Sequence, residues 1–69
     1  MPPDLSLLKR NIARVREEIR RQSREVQTLA DAGLDFTAAA RVLEHLRSRL
    51  RGYLDKLAEA QRLGRVRES

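Results

Sequence analysis

Hydrophobic residues recur at alternating intervals of three and four along two stretches of the chain. The first row comprises Leu5, Leu8, Ile12, Val15, Ile19, Gln22, Val26 and Leu29, in which only Gln22 is polar. The second row comprises Phe36, Ala39, Leu43, Leu46, Leu50, Tyr53, Leu57 and Ala60. This spacing is typical of helices that pack through a narrow apolar seam. We therefore predict helix 1 over about 4–32, helix 2 over about 36–63 and a frayed tail over 64–69.

The phase of the repeat changes between the two rows. An unbroken heptad continued from Leu29 would reach its next position a at Gly33, but the second row restarts with Phe36 as a. Glycine readily adopts the left-handed conformation that ends many helices, and aspartate is a favoured N-cap residue, so Asp35 can begin the next helix. Gly33, Leu34 and Asp35 therefore form the predicted turn.

So short a connection places consecutive helices side by side and antiparallel. The prediction is a single domain, 1–69, with an all-α fold: an antiparallel two-helix hairpin that resembles a coiled coil. Folding about the turn places Gln22 opposite Leu46 and Ile19 opposite Leu50. A polar residue in an apolar row often sets register or oligomeric state. The alternative is that Gln22 lies at the edge of the seam with its amide in water.

The size of the chain favours self-association. Its 69 residues include no Cys and one His, His45, so neither disulfides nor a metal would stabilise the small core. Apolar residues also fall outside the seam at Val42, Leu54 and Leu63. We predict a homodimeric four-helix bundle, with Gln22, Val42, Leu46, Leu50 and Leu54 as the residues of the seam or of the oligomer interface.

The net charge of +5 raises nucleic acid as an alternative partner. The candidate anion-binding residues are Arg14, Arg21, Arg24, Arg47, Arg49 and Arg51, and Arg10 lies on the same outer side of helix 1. Glu17 and Asp55 lie four residues from Arg21 and Arg51, where they would form ion pairs. A solvated helix surface is therefore the favoured explanation of the charges, and nucleic acid is the alternative.

The sequence contains no recognisable catalytic set. Cys is absent, His45 falls on an outer position, and the adjacent Glu17 and Glu18 diverge by about 100° on a helix. We expect neither an enzyme nor a cofactor or metal.

The absence of a long apolar run and of a secretory signal leads us to expect a cytoplasmic protein with no membrane partner. The function predicted is a small protein-interaction or scaffold module, with a nucleic-acid-binding protein or an accessory subunit of a larger complex as alternatives.

The stretch IRRQSREVQTLADAGLDFTAAARVLEHL resembles a group of short, uncharacterised helical-hairpin proteins common in alphaproteobacteria. The matching positions are Ile19, Gln22, Val26, Leu29, Gly33, Asp35, Ala39, Val42, Leu43 and Leu46. Phe36 departs from the Thr expected after the Asp. The resemblance implies a bacterial cytosolic hairpin and a structural role for Gln22, and it implies no activity.

Overall fold

The protein is a hairpin of two long helices. The computed structural model describes residues 5–68, with side chains for residues 5–64. Helix α1 spans Leu5–Asp31 and helix α2 spans Thr37–Glu68, and no strand occurs within the described range. The two helices pack against each other in a rod that measures 56 × 15 × 14 Å. The predicted all-α hairpin is confirmed.

The turn begins with a Schellman motif at the end of α1. The N–H of Leu34 donates to the carbonyl of Leu29 at 2.9 Å, and the N–H of Gly33 donates to the carbonyl of Ala30 at 3.0 Å. Gly33 has a φ of 72°, in the left-handed region that side chains disfavour. These two bonds satisfy carbonyls that would otherwise lack partners at the helix end. The predicted role of Gly33 is confirmed.

Asp35 caps the second helix through its side chain. Its Oδ1 accepts hydrogen bonds from the N–H of Thr37 at 2.9 Å and from the Thr37 hydroxyl at 2.7 Å. The first backbone bond of α2 runs from the N–H of Ala40 to the carbonyl of Phe36. Phe36 itself is exposed, although the repeat placed it in the seam. The connection therefore occupies residues 32–36 rather than three residues.

The seam predicted from the repeat forms the core, apart from Phe36. Every other member of the two rows is buried or half-buried. The most buried are Ile12 and Val15 on α1 and Leu43 and Leu46 on α2. No described side chain is completely enclosed, because a single pair of helices covers each seam residue from one side only.

The register of the two helices differs from the predicted one. The Gln22 amide nitrogen donates to the carbonyl oxygen of Ala39 at 3.3 Å. Leu46, the predicted neighbour, lies seven residues further along α2, or about 10 Å of helix rise. A shift in this direction also draws Ile12 and Val15 toward Leu43 and Leu46. The longer connection explains the difference, because its non-helical residues let the chain travel back along α1 before α2 starts.

The second helix continues beyond the predicted end at residue 63. It runs through Gly64 to Glu68, so residues 64–68 of the predicted tail are helical and Ser69 lies outside the described residues. Gly64 lies inside the helix, and only Gly33 has a positive φ among the described glycines. Without a left-handed glycine or a proline, nothing in the local sequence stops the helix there.

Candidate interaction surfaces

The structure divides the predicted dimer interface into inner and outer residues. Leu46 is 7% exposed and belongs to the core of the hairpin, so it acts here as a seam residue and offers little surface to a second chain. Leu50 is half-buried, and Gln22 is half-buried with its amide bonded to Ala39 within the same chain. The heptad position of a residue does not distinguish packing within the hairpin from packing against a second chain, because the same apolar position is suitable for both.

Apolar side chains outside the seam lie on both flanks of α2. Val42 is 47% exposed, Leu63 is 55% exposed and Leu54 is 36% exposed. At about 100° per residue, Val42 and Leu63 share one flank, whereas Leu54 lies about 120° from Val42 on the other. A hairpin buries one stripe of each helix, so both flanks remain open.

Three further apolar residues are exposed: Leu7 on α1, and Leu34 and Phe36 in the connection. They were not among the candidate interface residues. Leu7 lies off the seam of α1, so its position outside the repeat was the signal that could have identified it. For Phe36 the repeat pointed to the wrong environment, because the heptad spacing does not reveal that α2 begins one residue later.

The described ion pairs are local and exposed. Arg20 Nη2 lies 2.6 Å from Glu17 Oε2, and Arg62 Nη2 lies 3.6 Å from Glu59 Oε1. Glu17 therefore pairs with Arg20 rather than with Arg21. The hydrogen bond and charge of Arg20 lower the pKa of Glu17, and Arg24 and Arg21 add weaker effects in the same direction. The charged form of Glu17 is thereby favoured beside its partner.

The candidate anion-binding residues separate into two unequal groups. Arg14, Arg21 and Arg24 are exposed on the side of α1 that faces away from the core, and the structure places them together. Arg47, Arg49 and Arg51 are also exposed, but successive members point about 200° apart around α2. The Nη2 of Arg49 is 3.5 Å from the hydroxyl of Tyr53. The three therefore share no common face, although Arg47 and Arg51 lie within about 40° of each other.

The described residues hold no group of three or more His, Cys, Asp or Glu arranged to bind a metal ion. His45 is exposed. An open depression on α2 is lined by Asp55, Ala58, Glu59 and Arg62, and its polar members face solvent. Neither described helix has a stretch apolar enough, over sufficient length, to cross a bilayer.

Comparison of the chain with protein families, with curated proteins and with solved structures found no match. The resemblance to alphaproteobacterial hairpin proteins therefore stays a prediction.

Proposed function

We propose that this protein is a small non-enzymatic scaffold or interaction module that self-associates, two hairpins forming a coiled-coil-like four-helix bundle. One observation carries the proposal: among residues 5–64, four side chains are buried and none is fully enclosed, while six large apolar side chains remain exposed. A core of that size leaves a chain of 69 residues marginally stable on its own.

The exposed flanks of α2 are the surfaces that a second copy would cover. Full burial of a Val or Leu side chain contributes about 1.5–3 kcal/mol, so covering the exposed part of Val42 or of Leu54 in both chains contributes a fraction of that per residue. The half-buried Leu50 lies between these flanks and would gain further cover. Leu46 would contribute by supporting the hairpin beneath the interface. Gln22 would stabilise the hairpin that presents the interface.

A related proposal is that another protein covers the same flanks, so that the chain is an accessory subunit of a larger complex. The same apolar residues support it. The two proposals differ in the behaviour of the purified chain: a self-associating hairpin doubles its mass of 8.0 kDa, whereas a subunit that needs a different protein does not.

The test is analytical ultracentrifugation from low micromolar to submillimolar concentration, combined with circular dichroism. We expect a concentration-dependent dimer whose melting temperature rises with concentration, since association stabilises the folded state. Leu54→Glu places a charge in the interface and should abolish the dimer and reduce helicity. Ser48→Glu is the matched control, because Ser48 is exposed on the outer side of α2 and its substitution should leave the dimer intact.

Val42→Glu identifies which flank is used. If only one of the two glutamate substitutions dissociates the dimer, the interface lies on that flank. A well-folded monomer of 8.0 kDa at every concentration, unaffected by either substitution, would contradict self-association.

A further inference from the structure

The net charge of the protein is concentrated in one part of α1. Residues 9–24 hold seven of the fifteen basic residues and two of the ten acidic ones, so this stretch alone carries a charge of +5. The other 53 residues carry eight basic and eight acidic groups and are balanced. The excess charge therefore belongs to a 16-residue segment and is not spread over the rod.

Four arginines of this segment share the outer side of the helix. We call Arg10, Arg14, Arg21 and Arg24 the arginine row. All four are exposed, and at about 100° per residue they lie opposite the buried Ile12. The row extends over 14 residue steps, or about 21 Å of helix. Its rigidity comes from α2, which holds the apolar side of the same helix.

The acidic residues near the arginine row leave most of its charge available. Glu17 lies within the row, but its carboxylate is bonded to Arg20 at 2.6 Å. Glu18, half-buried, and Glu25, exposed, border the row on one side. Within residues 5–64, no ion pair as short as 4.0 Å involves a member of the arginine row.

The chemistry of the row favours phosphate groups on a rigid polymer. Guanidinium groups bind phosphate oxygens through paired hydrogen bonds. Single-stranded nucleic acid is usually bound by stacking on aromatic side chains, and α1 contains none. A membrane-surface helix needs a free apolar face next to its basic one, whereas the apolar face of α1 packs against α2.

We propose that the arginine row of α1 binds the phosphate backbone of duplex nucleic acid without reading its sequence. This function goes beyond self-association. It is compatible with it, because the proposed dimer surfaces lie on α2 and leave the outer side of α1 open. Each copy would then present its own arginine row.

Fluorescence anisotropy with a labelled DNA duplex, and in parallel an RNA duplex of the same sequence, tests the proposal. Four phosphate contacts predict a loss of affinity on the order of 100-fold between about 50 and 200 mM salt. Binding of either duplex with this salt dependence supports the proposal, since both polymers offer the same backbone chemistry.

Two variants with equal loss of charge separate the arginine row from general electrostatics. The first replaces the row by Arg10→Gln, Arg14→Gln, Arg21→Gln and Arg24→Gln. The second replaces exposed cations of α2 by Arg41→Gln, Arg47→Gln, Arg51→Gln and Lys56→Gln. We expect the first variant to bind at least about 100-fold more weakly and the second to stay within about threefold of the wild type.

Circular dichroism checks that both variants are folded. If the fourfold variant of the arginine row does not fold, the double variant Arg21→Gln with Arg24→Gln replaces it. The slope of log affinity against log salt concentration should then be smaller in magnitude by about two. The proposal is overturned if neither duplex binds at low salt, or if the two fourfold variants weaken binding equally. It is also overturned if single strands, or vesicles of phosphatidylserine and phosphatidylcholine, bind more tightly than the duplexes.

Discussion

The side-chain amide of Gln22 on α1 donates a 3.3 Å hydrogen bond to the main-chain carbonyl of Ala39 on α2. The rest of the seam is mainly apolar, and apolar residues pair almost as well after a slide of one heptad. The amide bond does not survive such a slide. Gln22 therefore supplies a directional contact at one level of the hairpin, which is the register role expected of a polar seam residue.

Gln22→Glu should lower the free energy of unfolding by about 1–3 kcal/mol at neutral pH. The substitution removes the donor and sets a carboxylate against the Ala39 carbonyl in a half-buried site. In acid the introduced carboxyl gains a proton and can donate again, so the difference from the wild type should shrink. Urea denaturation at fixed protein concentration, at both pH values, measures the effect.

The control is Gln61→Glu, the same substitution at an exposed position of α2. It should change the free energy of unfolding by no more than about 0.5 kcal/mol. Equal losses in the two variants would show that added negative charge, and not the lost contact with Ala39, is responsible.

Gly33→Val should cost about 1–3 kcal/mol of stability through the backbone alone. A Cβ at Gly33 would meet no atom within 4 Å, so a steric clash with the surroundings is not the cause. The cost arises because a β-branched residue is strongly disfavoured at a φ of 72°. Thermal denaturation measures it, with Gly52→Ala as the comparison.

Gly52 is helical with open space around it, so alanine there should be neutral or stabilising by up to about 1 kcal/mol. A Gly33→Val protein that melts no lower than the wild type would show that the turn is wrong.

Gly64→Ala tests where α2 ends. A glycine inside a helix is less favourable than alanine by about 1 kcal/mol, so the substitution should raise stability and helicity modestly if α2 continues to Glu68. If α2 instead ended at Gly64 with a left-handed residue, alanine would be destabilising. Circular dichroism distinguishes the two cases by the sign of the change in helicity and melting temperature. Gly33→Ala is the reference for the second case, because Gly33 is left-handed and alanine there should lower both quantities.

Stability should fall in acid partly through Asp35. The hydrogen bonds from the Thr37 hydroxyl and backbone N–H lower the pKa of this carboxyl below its usual value. Because the folded pKa lies below the unfolded one, the contribution is complete above the unfolded pKa and is lost as pH falls through the folded pKa. Glu17, whose pKa is lowered mainly by Arg20, adds to the loss in the same direction.

Two variants isolate the Asp35 contribution in thermal melts across the acid range. Asp35→Asn keeps a neutral oxygen acceptor for Thr37 but does not titrate, so it should melt slightly lower than the wild type at pH 7 and approach it in acid. Asp35→Ala lacks the acceptor and should melt lower at pH 7, with the difference from the wild type narrowing in acid. An Asp35→Asn protein with an unchanged acid-side decline would remove Asp35 from this explanation.

Local chemistry alone predicted much of the fold. The two helices follow from apolar residues at intervals of three and four, and the turn follows from a glycine and a capping aspartate two residues apart. Each of these features depends on the conformational preferences of a few neighbouring residues, which can be predicted from the residue types alone. The arginines of α1 could likewise be placed together, because residues on one side of a single helix keep a fixed spacing.

The pairing of the helices was decided only by the tertiary structure. A heptad repeat looks the same after a slide of one heptad, so the sequence determined which residues form the seam but not which ones meet. The five-residue connection, 32–36, shifted α2 along α1, placed Ala39 beside Gln22 and left Phe36 exposed. It likewise took the tertiary structure to show which seam residues are the most buried, because the cover over a side chain depends on where the opposite helix lies.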